Sequence, residues 1–194
     1  MKNSWNRFVF QLWVPFYDAS FALYRKNKEW RLRAFEELGL KENTKLLDVG
    51  CGTGLNVPIV PKTVDYTGLD ISEAMLNKAS QKFPDKKFVI GDACALPFKD
   101  GEFDFLINTY SVNVLPDVAQ ALREMKRVSK KTVLYDHFRS GNPIVAFLQL
   151  LSKPFGFLLG IDTFVSIEKE LKKAGIEARI EKLDFLGAYK LAVF

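Results

Sequence analysis

The chain has 194 residues, 48% of them hydrophobic, and a formal charge of +5. That is enough apolar material for one domain with a sizeable core, and the excess charge could favour an anionic membrane or nucleic acid but is too diffuse to prove either. Its two cysteines, Cys51 and Cys94, have no metal-ligand spacing, so neither a disulfide framework nor a metal site is expected and a reducing cytoplasm is the simple setting.

Taken in chain order, Trp5, Phe8, Val9, Leu12, Trp13 and Phe16 fall at helical spacing, ended or kinked near Pro15. A second helix carries Phe21, Tyr24, Leu32, Phe35 and Leu38 on one side and stops at Gly39. Strand 1 is expected over 45–49 and strand 2 over 66–70, followed by a helix that Ser72 caps and that runs through Met75 and Ala79. Strands 3 and 4 are expected over 87–90 and 103–108. Asp117 begins a helix through Leu122 and Met125, and strand 5 covers 132–136. Asn142-Pro143 starts a short helix. The last helix runs from Ser166 to Ala174 with Gly175 as its stop, and two strands follow over 176–185 and 188–194. Alternating strands and helices predict an α/β, doubly wound, mostly parallel sheet. No linker-like run, internal repeat or secretory cleavage pattern interrupts it, so 1–194 reads as a single domain.

The chemistry concentrates in Leu46-Leu47-Asp48-Val49-Gly50-Cys51-Gly52-Thr53-Gly54. An apolar strand ending in alternating glycines predicts a tight turn where backbone approaches a ligand closely, which only glycine permits. The stretch 64–71 ends a second strand at Asp70, at the end of the sheet where ligands bind. A carboxylate there can accept hydrogen bonds from both hydroxyls of a ribose. The spacing is Gly-x-Gly-x-Gly, unlike the Gly-x-Gly-x-x-Gly of dinucleotide sites. Asp48 beside the loop would repel a pyrophosphate and suit a sulfonium or ammonium group, which favours S-adenosylmethionine over a nicotinamide dinucleotide.

From these residues on, the chain resembles the class I S-adenosylmethionine-dependent methyltransferases over roughly 44–137. The resemblance implies a Rossmann-like methyltransferase fold with seven strands, the final one antiparallel, N-terminal helices and a helical insertion after strand 5. It divides the domain into an N-terminal helical lid (1–40), a cofactor-binding core (44–137), an apolar insertion (141–165) and a closing helix and strands (166–194). Asp48, Gly50, Cys51, Gly52, Thr53 and Gly54 resemble the motif that holds the methionine part of the cofactor, and Asp70 with Ile71 and Met75 the ribose-binding segment. Asp92 and Ala93 stand where the family reads adenine, and Asn108 and Tyr110 where strand 4 faces the transferred methyl. Ser129-Lys130-Lys131 replaces the glycine-containing turn the family often places before strand 5, a shorter and more basic connection. Asn108-Thr109-Tyr110-Ser111 is not the Asn/Asp-Pro-Pro-Tyr signature of enzymes that methylate base or glutamine nitrogens.

Methyl transfer requires mainly alignment and exclusion of water, and no metal. A base matters only for a nucleophile that arrives protonated. The single histidine, His137, follows Asp136 at the end of strand 5 and is the candidate, with a capping or packing role as the alternative. The aromatic stretch 5–17 and the apolar segment 143–159 flank the expected active-site mouth. One reading makes them a lid for a lipophilic acceptor that touches a membrane surface; the other makes them ordinary core. Phe16-Tyr17-Asp18 resembles an element of the ubiquinone/menaquinone-biosynthesis and phospholipid methyltransferase group, which implies that Tyr17 approaches the methyl end. Asp136-His137-Phe138-Arg139-Ser140 resembles phosphatidylethanolamine N-methyltransferases and thiol methyltransferase-like proteins. The expected acceptor is therefore small and lipophilic: a phospholipid amine, a quinone precursor or a thiol. An RNA methyltransferase and a catalytically silent cofactor-binding protein remain the alternatives. The first would show salt-steep affinity for RNA.

Overall fold

The computed structural model describes residues 25–158, 162 and 164–194, with the side chains of 28–154, 162 and 164–194. The expected helix around 5–17, with Tyr17, and the positions of Phe21 and Tyr24 lie outside these residues.

The described chain begins with helix α1 (Arg25–Leu38) and strand β1 (Lys45–Val49). Strand β2 (Asp65–Asp70), helix α2 (Glu73–Lys82), strand β3 (Lys87–Ile90) and strand β4 (Phe103–Thr109) follow. Helix α3 (Val118–Val128) runs directly into strand β5 (Ser129–His137). Helix α4 (Pro143–Leu158), helix α5 (Ile167–Ala174) and strands β6 (Arg179–Lys182) and β7 (Tyr189–Val193) complete it. The strands form one seven-stranded sheet in the order β3-β2-β1-β4-β5-β7-β6. Pairing from β3 through β5 is parallel, and β7 runs antiparallel to both β5 and β6.

Helices cover both faces, which is why the central strands can be apolar at nearly every position. The period-two alternation of a strand then sorts them into two cores. Leu47, Val49, Leu106 and Leu134 face Leu122 and Met125 of α3 and Ile167 and Leu171 of α5. Leu46, Ile107, Val133 and Tyr135 face Trp30, Ala34, Phe35 and Leu38 of α1. Local signals set the helix ends. Asp117 accepts a hydrogen bond from Gln120 N at 2.9 Å, and Ser72 accepts one from Met75 N at 3.4 Å. Past α5, the N–H groups of Gly175 and Ile176 fold back on the carbonyls of Lys172 and Leu171.

Three expectations need correction. Ser129-Lys130-Lys131 is not a turn but the first part of β5, at bonding distance from β4. Each residue has work there: Ser129 Oγ bonds Met125 O and Thr132, Lys130 pairs with Asp104 at 2.8 Å, and Lys131 caps the last carbonyls of α1. The final strands are shorter than expected, because 176–178 are irregular and 183–188 form the connection that turns the chain back. Helix α4 runs on through Lys153 and Pro154 to Leu158. Among the described residues no helix is long and apolar enough to cross a membrane.

Candidate active site

The chain leaves β1 toward β2 and β3, then returns to place β4 on the opposite side of β1. Such a reversal leaves a crevice beyond the carboxyl ends of the strands. A cleft opens there, with about 810 Å³ of free space counting its mouth. Val49, Gly50 and Gly52 line it from the end of β1, Leu69 to Ser72 from the end of β2, and Gly91 to Ala93 from the turn after β3. Tyr110, Ser111 and Val114 to Pro116 close the other side, and Met75 reaches in from α2.

Backbone builds the floor. Gly50 and Gly52 adopt φ of +72° and +53°. A Cβ on Gly50 would overlap the side chain of Ser111, so a larger residue fails there on sterics as well as conformation. The loop is tied to β2: Gly50 N and Cys51 N both donate to Leu69 O, at 2.7 and 3.1 Å. Gly52 N donates to Asp70 Oδ2 and Ser72 N to Asp70 Oδ1, each at 2.9 Å. Burial holds the Asp70 carboxyl above its usual range, against the pull of these N–H donors and that of Ile71. A carboxylate offers about four acceptor positions. Asp70 thus keeps capacity for hydroxyl donors in the cleft. Asp92 accepts from Cys94 N at 2.9 Å.

Among the described residues that line the cleft, the charged ones are Asp70 and Asp92, both acidic. No lysine or arginine stands among them to hold a pyrophosphate. Ile71, Met75, Val114, Leu115 and Pro116 supply the apolar surface that a flat base requires. This donor set fits a nucleoside that carries a cationic group.

A family model described as a methyltransferase domain matches residues 47–134. A demethylmenaquinone methyltransferase of Staphylococcus aureus is 35% identical over 147 residues, which are 71% of this chain and 61% of that protein. The chain therefore spans about three-fifths of the length of the curated relatives it matches. Among solved structures, an S-adenosylmethionine-dependent methyltransferase of Thermotoga maritima shares the fold with a TM-score of 0.75 at 22% identity. The match covers 97% of this chain and 98% of that one. A phosphoethanolamine N-methyltransferase of Haemonchus contortus in complex with S-adenosyl-L-methionine gives 0.65 at 17% identity, over 80% of this chain and 38% of that one. The chain belongs to the class I S-adenosylmethionine-dependent methyltransferases.

Within this methyltransferase frame, Gly50, Gly52, Asp70, Ile71, Met75, Asp92, Ala93 and Tyr110 come together in the cleft. Asp48 does not line it. Side-chain alternation turns Asp48 with Leu46 toward α1, away from the face of Leu47 and Val49. There the carboxylate is fully buried and accepts from Asn56 Nδ2 at 3.0 Å through both oxygens and from Tyr66 OH at 2.8 Å. Burial pushes its pKa up to about 6, against the hydrogen bonds of Tyr66 and Asn56 and the charge of Arg31. Arg31 completes this network through Asn56 Oδ1 and, at 3.1 Å, Thr109 Oγ1. The acidic character of the cleft comes from Asp70 and Asp92 instead.

The remaining loop residues also stand behind the lining. Cys51 and Thr53 are buried, burial holding the Cys51 thiol well up. Gly54 lies against Phe83 at the end of α2. Asn108 donates to Val49 O at 2.9 Å and Ser111 Oγ at 2.5 Å, bracing β1 against the loop after β4. Its Oδ1 is buried without a hydrogen-bond partner. Tyr110 holds φ of +55°, outside the usual range for its type, with its N–H on Tyr135 O at 3.1 Å and its ring edge-on to Tyr135. Such strain costs about 1–3 kcal/mol and persists only where neighbours enforce it.

His137 is not among the residues lining this cleft. Its Nδ1 lies 2.9 Å from Asp136 Oδ1 and 3.4 Å from Asn113 Nδ2, and Asn113 also donates to its carbonyl. Burial disfavours the charged ring, but the hydrogen bond and charge of Asp136, with Asp162 adding, hold its pKa above the ordinary value. Among the described residues of α4, none lines the cleft either. The sequence reading missed Ser111 and Val114 to Pro116, although their place after an apolar strand marked that loop as part of the site.

Proposed function

We propose that the protein transfers a methyl group from S-adenosylmethionine to a small lipophilic acceptor, with a quinone precursor as the favoured class. The cofactor supplies a methyl carbon already activated by its sulfonium. Asp70 binds the ribose diol, and the backbone of Gly50 and Gly52 lets the methionine part lie close to β1. Asp92 and Ala93 orient the adenine. Tyr110, which lines the cleft, aligns the acceptor at the methyl end. Asn108 fixes the loop that carries Tyr110 and Ser111. His137 belongs to the acceptor side and takes its proton, with Nδ1–H held by Asp136.

The observation that carries this proposal is the cleft's acidic, cation-seeking lining on a methyltransferase frame. The similarity to a demethylmenaquinone methyltransferase supports the quinone class over an amine or thiol. The test incubates the protein with radiolabelled S-adenosylmethionine and a lipid-containing cell extract, followed by phase separation. Label in the organic phase is expected, and Asp70→Ala should abolish it while the variant stays folded. Label confined to the aqueous phase would refute a lipophilic acceptor, and its sensitivity to RNase would indicate RNA instead.

A further inference from the structure

Helix α4 leaves Ile144, Phe147, Leu148 and Leu151 on water, the first and last 71% and 61% exposed. Their spacing of three, four and seven residues puts them on one face of the helix. A second element adds to them: in the turn between β6 and β7, Phe185 is fully exposed and Leu186 nearly half so. The two elements are locked together. Ser140 Oγ donates to Leu186 O and accepts from Asn142 N at 3.0 Å, where α4 begins. Gln149, on the helix, accepts from Ser140 N at 2.8 Å and donates to Phe138 O at 2.9 Å.

We propose that the outer face of α4 and the β6–β7 turn form one docking surface for an anionic phospholipid bilayer. A fully exposed phenylalanine in a turn suits a fluid interface better than the fixed contour of a folded partner. Charge complements it. Helix α4 carries no acidic residue. Arg139, just before it, and Lys153, near its end, both lie over the Phe164 ring, at 4.9 and 5.7 Å. The Lys182 stem runs beside Gly187 in the turn. The acidic residues of the adjoining turns are engaged by backbone, Asp162 by Phe164 N and Asp184 by Tyr189 N. An apolar face with a cationic border is the pattern of helices that lie in a membrane interface. The proposal goes beyond methyl transfer and does not depend on it.

The test is co-sedimentation of the full chain with phosphatidylcholine vesicles, with and without phosphatidylserine. The expected result is binding to the phosphatidylserine vesicles that weakens with added salt. Phe147→Ser/Leu151→Ser should reduce it about tenfold or more, and Phe185→Ser should weaken it independently. S-adenosylmethionine affinity should be unchanged in both variants, which separates lost docking from lost folding. Equal sedimentation of parent and variants, or equal binding to both vesicle types, would overturn the proposal. So would a concentration-dependent dimer that the substitutions dissolve in a protein that ignores vesicles, since a second copy would then cover the face. Vesicle binding without methyl transfer would refute the proposed activity and leave the docking surface standing.

Discussion

The carboxyl end of β1, β2 and β3 and the region around β5, α4 and β7 are built from different materials. In the first, main chain does most of the work: three left-handed glycines, N–H groups aimed at Asp70 and carbonyls tied across strands. In the second, side chains dominate: the Asn113, Asp136 and His137 cluster, the Tyr110 and Tyr135 rings, and the exposed face of α4. A site made of backbone accepts one ligand shape and tolerates few substitutions. A site made of side chains can be respecified by substitution without disturbing the sheet. Under the proposed function, the first region would serve the chemistry and the second the choice of acceptor.

The sharpest way to break this comparison is Gly50→Ala. The added methyl meets Ser111 and the residue must hold φ of +72°, so S-adenosylmethionine affinity should fall about 100-fold or more by titration calorimetry. Gly101→Ala is the control, with φ of +62° but open space around it; it should lose about 1 kcal/mol of stability and keep its affinity. Unchanged affinity in Gly50→Ala would deny the backbone its role.

Asp48 offers a comparably large effect, on stability and not on binding. Its carboxyl titrates near 6 in the fold against an ordinary 3.8, so the folded state holds the proton longer and Asp48 makes stability fall as pH rises through that window. At 1.36 kcal/mol per unit the span is about 3 kcal/mol. Asp48→Asn should therefore gain on the parent by up to that amount between pH 4 and 7, measured by urea unfolding. A gap independent of pH would mean that the Asp48 network does not hold its proton.

The side-chain region predicts the smallest change. His137→Ala should leave cofactor affinity intact and lower turnover about tenfold or more. Because the folded-state pKa is raised, the ionised pair with Asp136 stabilises fully below the ordinary histidine range and is lost as pH rises through the raised value. The variant should then be more destabilised at about pH 5 than at about pH 9. Full turnover would return His137 to a packing role.

Much of the backbone-built region was legible in the sequence, since an apolar run followed by alternating glycines has few other solutions. Gly50, Gly52 and Asp70 needed only local spacing to be found. Asp48 was misread because a strand's alternation, not its proximity to the loop, decides where a side chain points, and its partners Arg31, Asn56 and Tyr66 come from separate segments. The turn expected before β5 failed for a related reason. Ser129, Lys130 and Lys131 look like a polar loop, but their polar atoms are satisfied by partners on α3, β4 and α1 that no local pattern reveals.

That direct passage from Val128 of α3 to Ser129 of β5 leaves the chain no slack. Most helix–strand connections have a few residues that can absorb an insertion. Here a single inserted residue could be taken up only by unwinding the end of α3 or by sliding β5 along β4. Sliding by one position would send Leu134 to the core of Tyr135, and Tyr135 to the core of Leu134. Length at this junction, more than residue identity, is what the fold holds fixed.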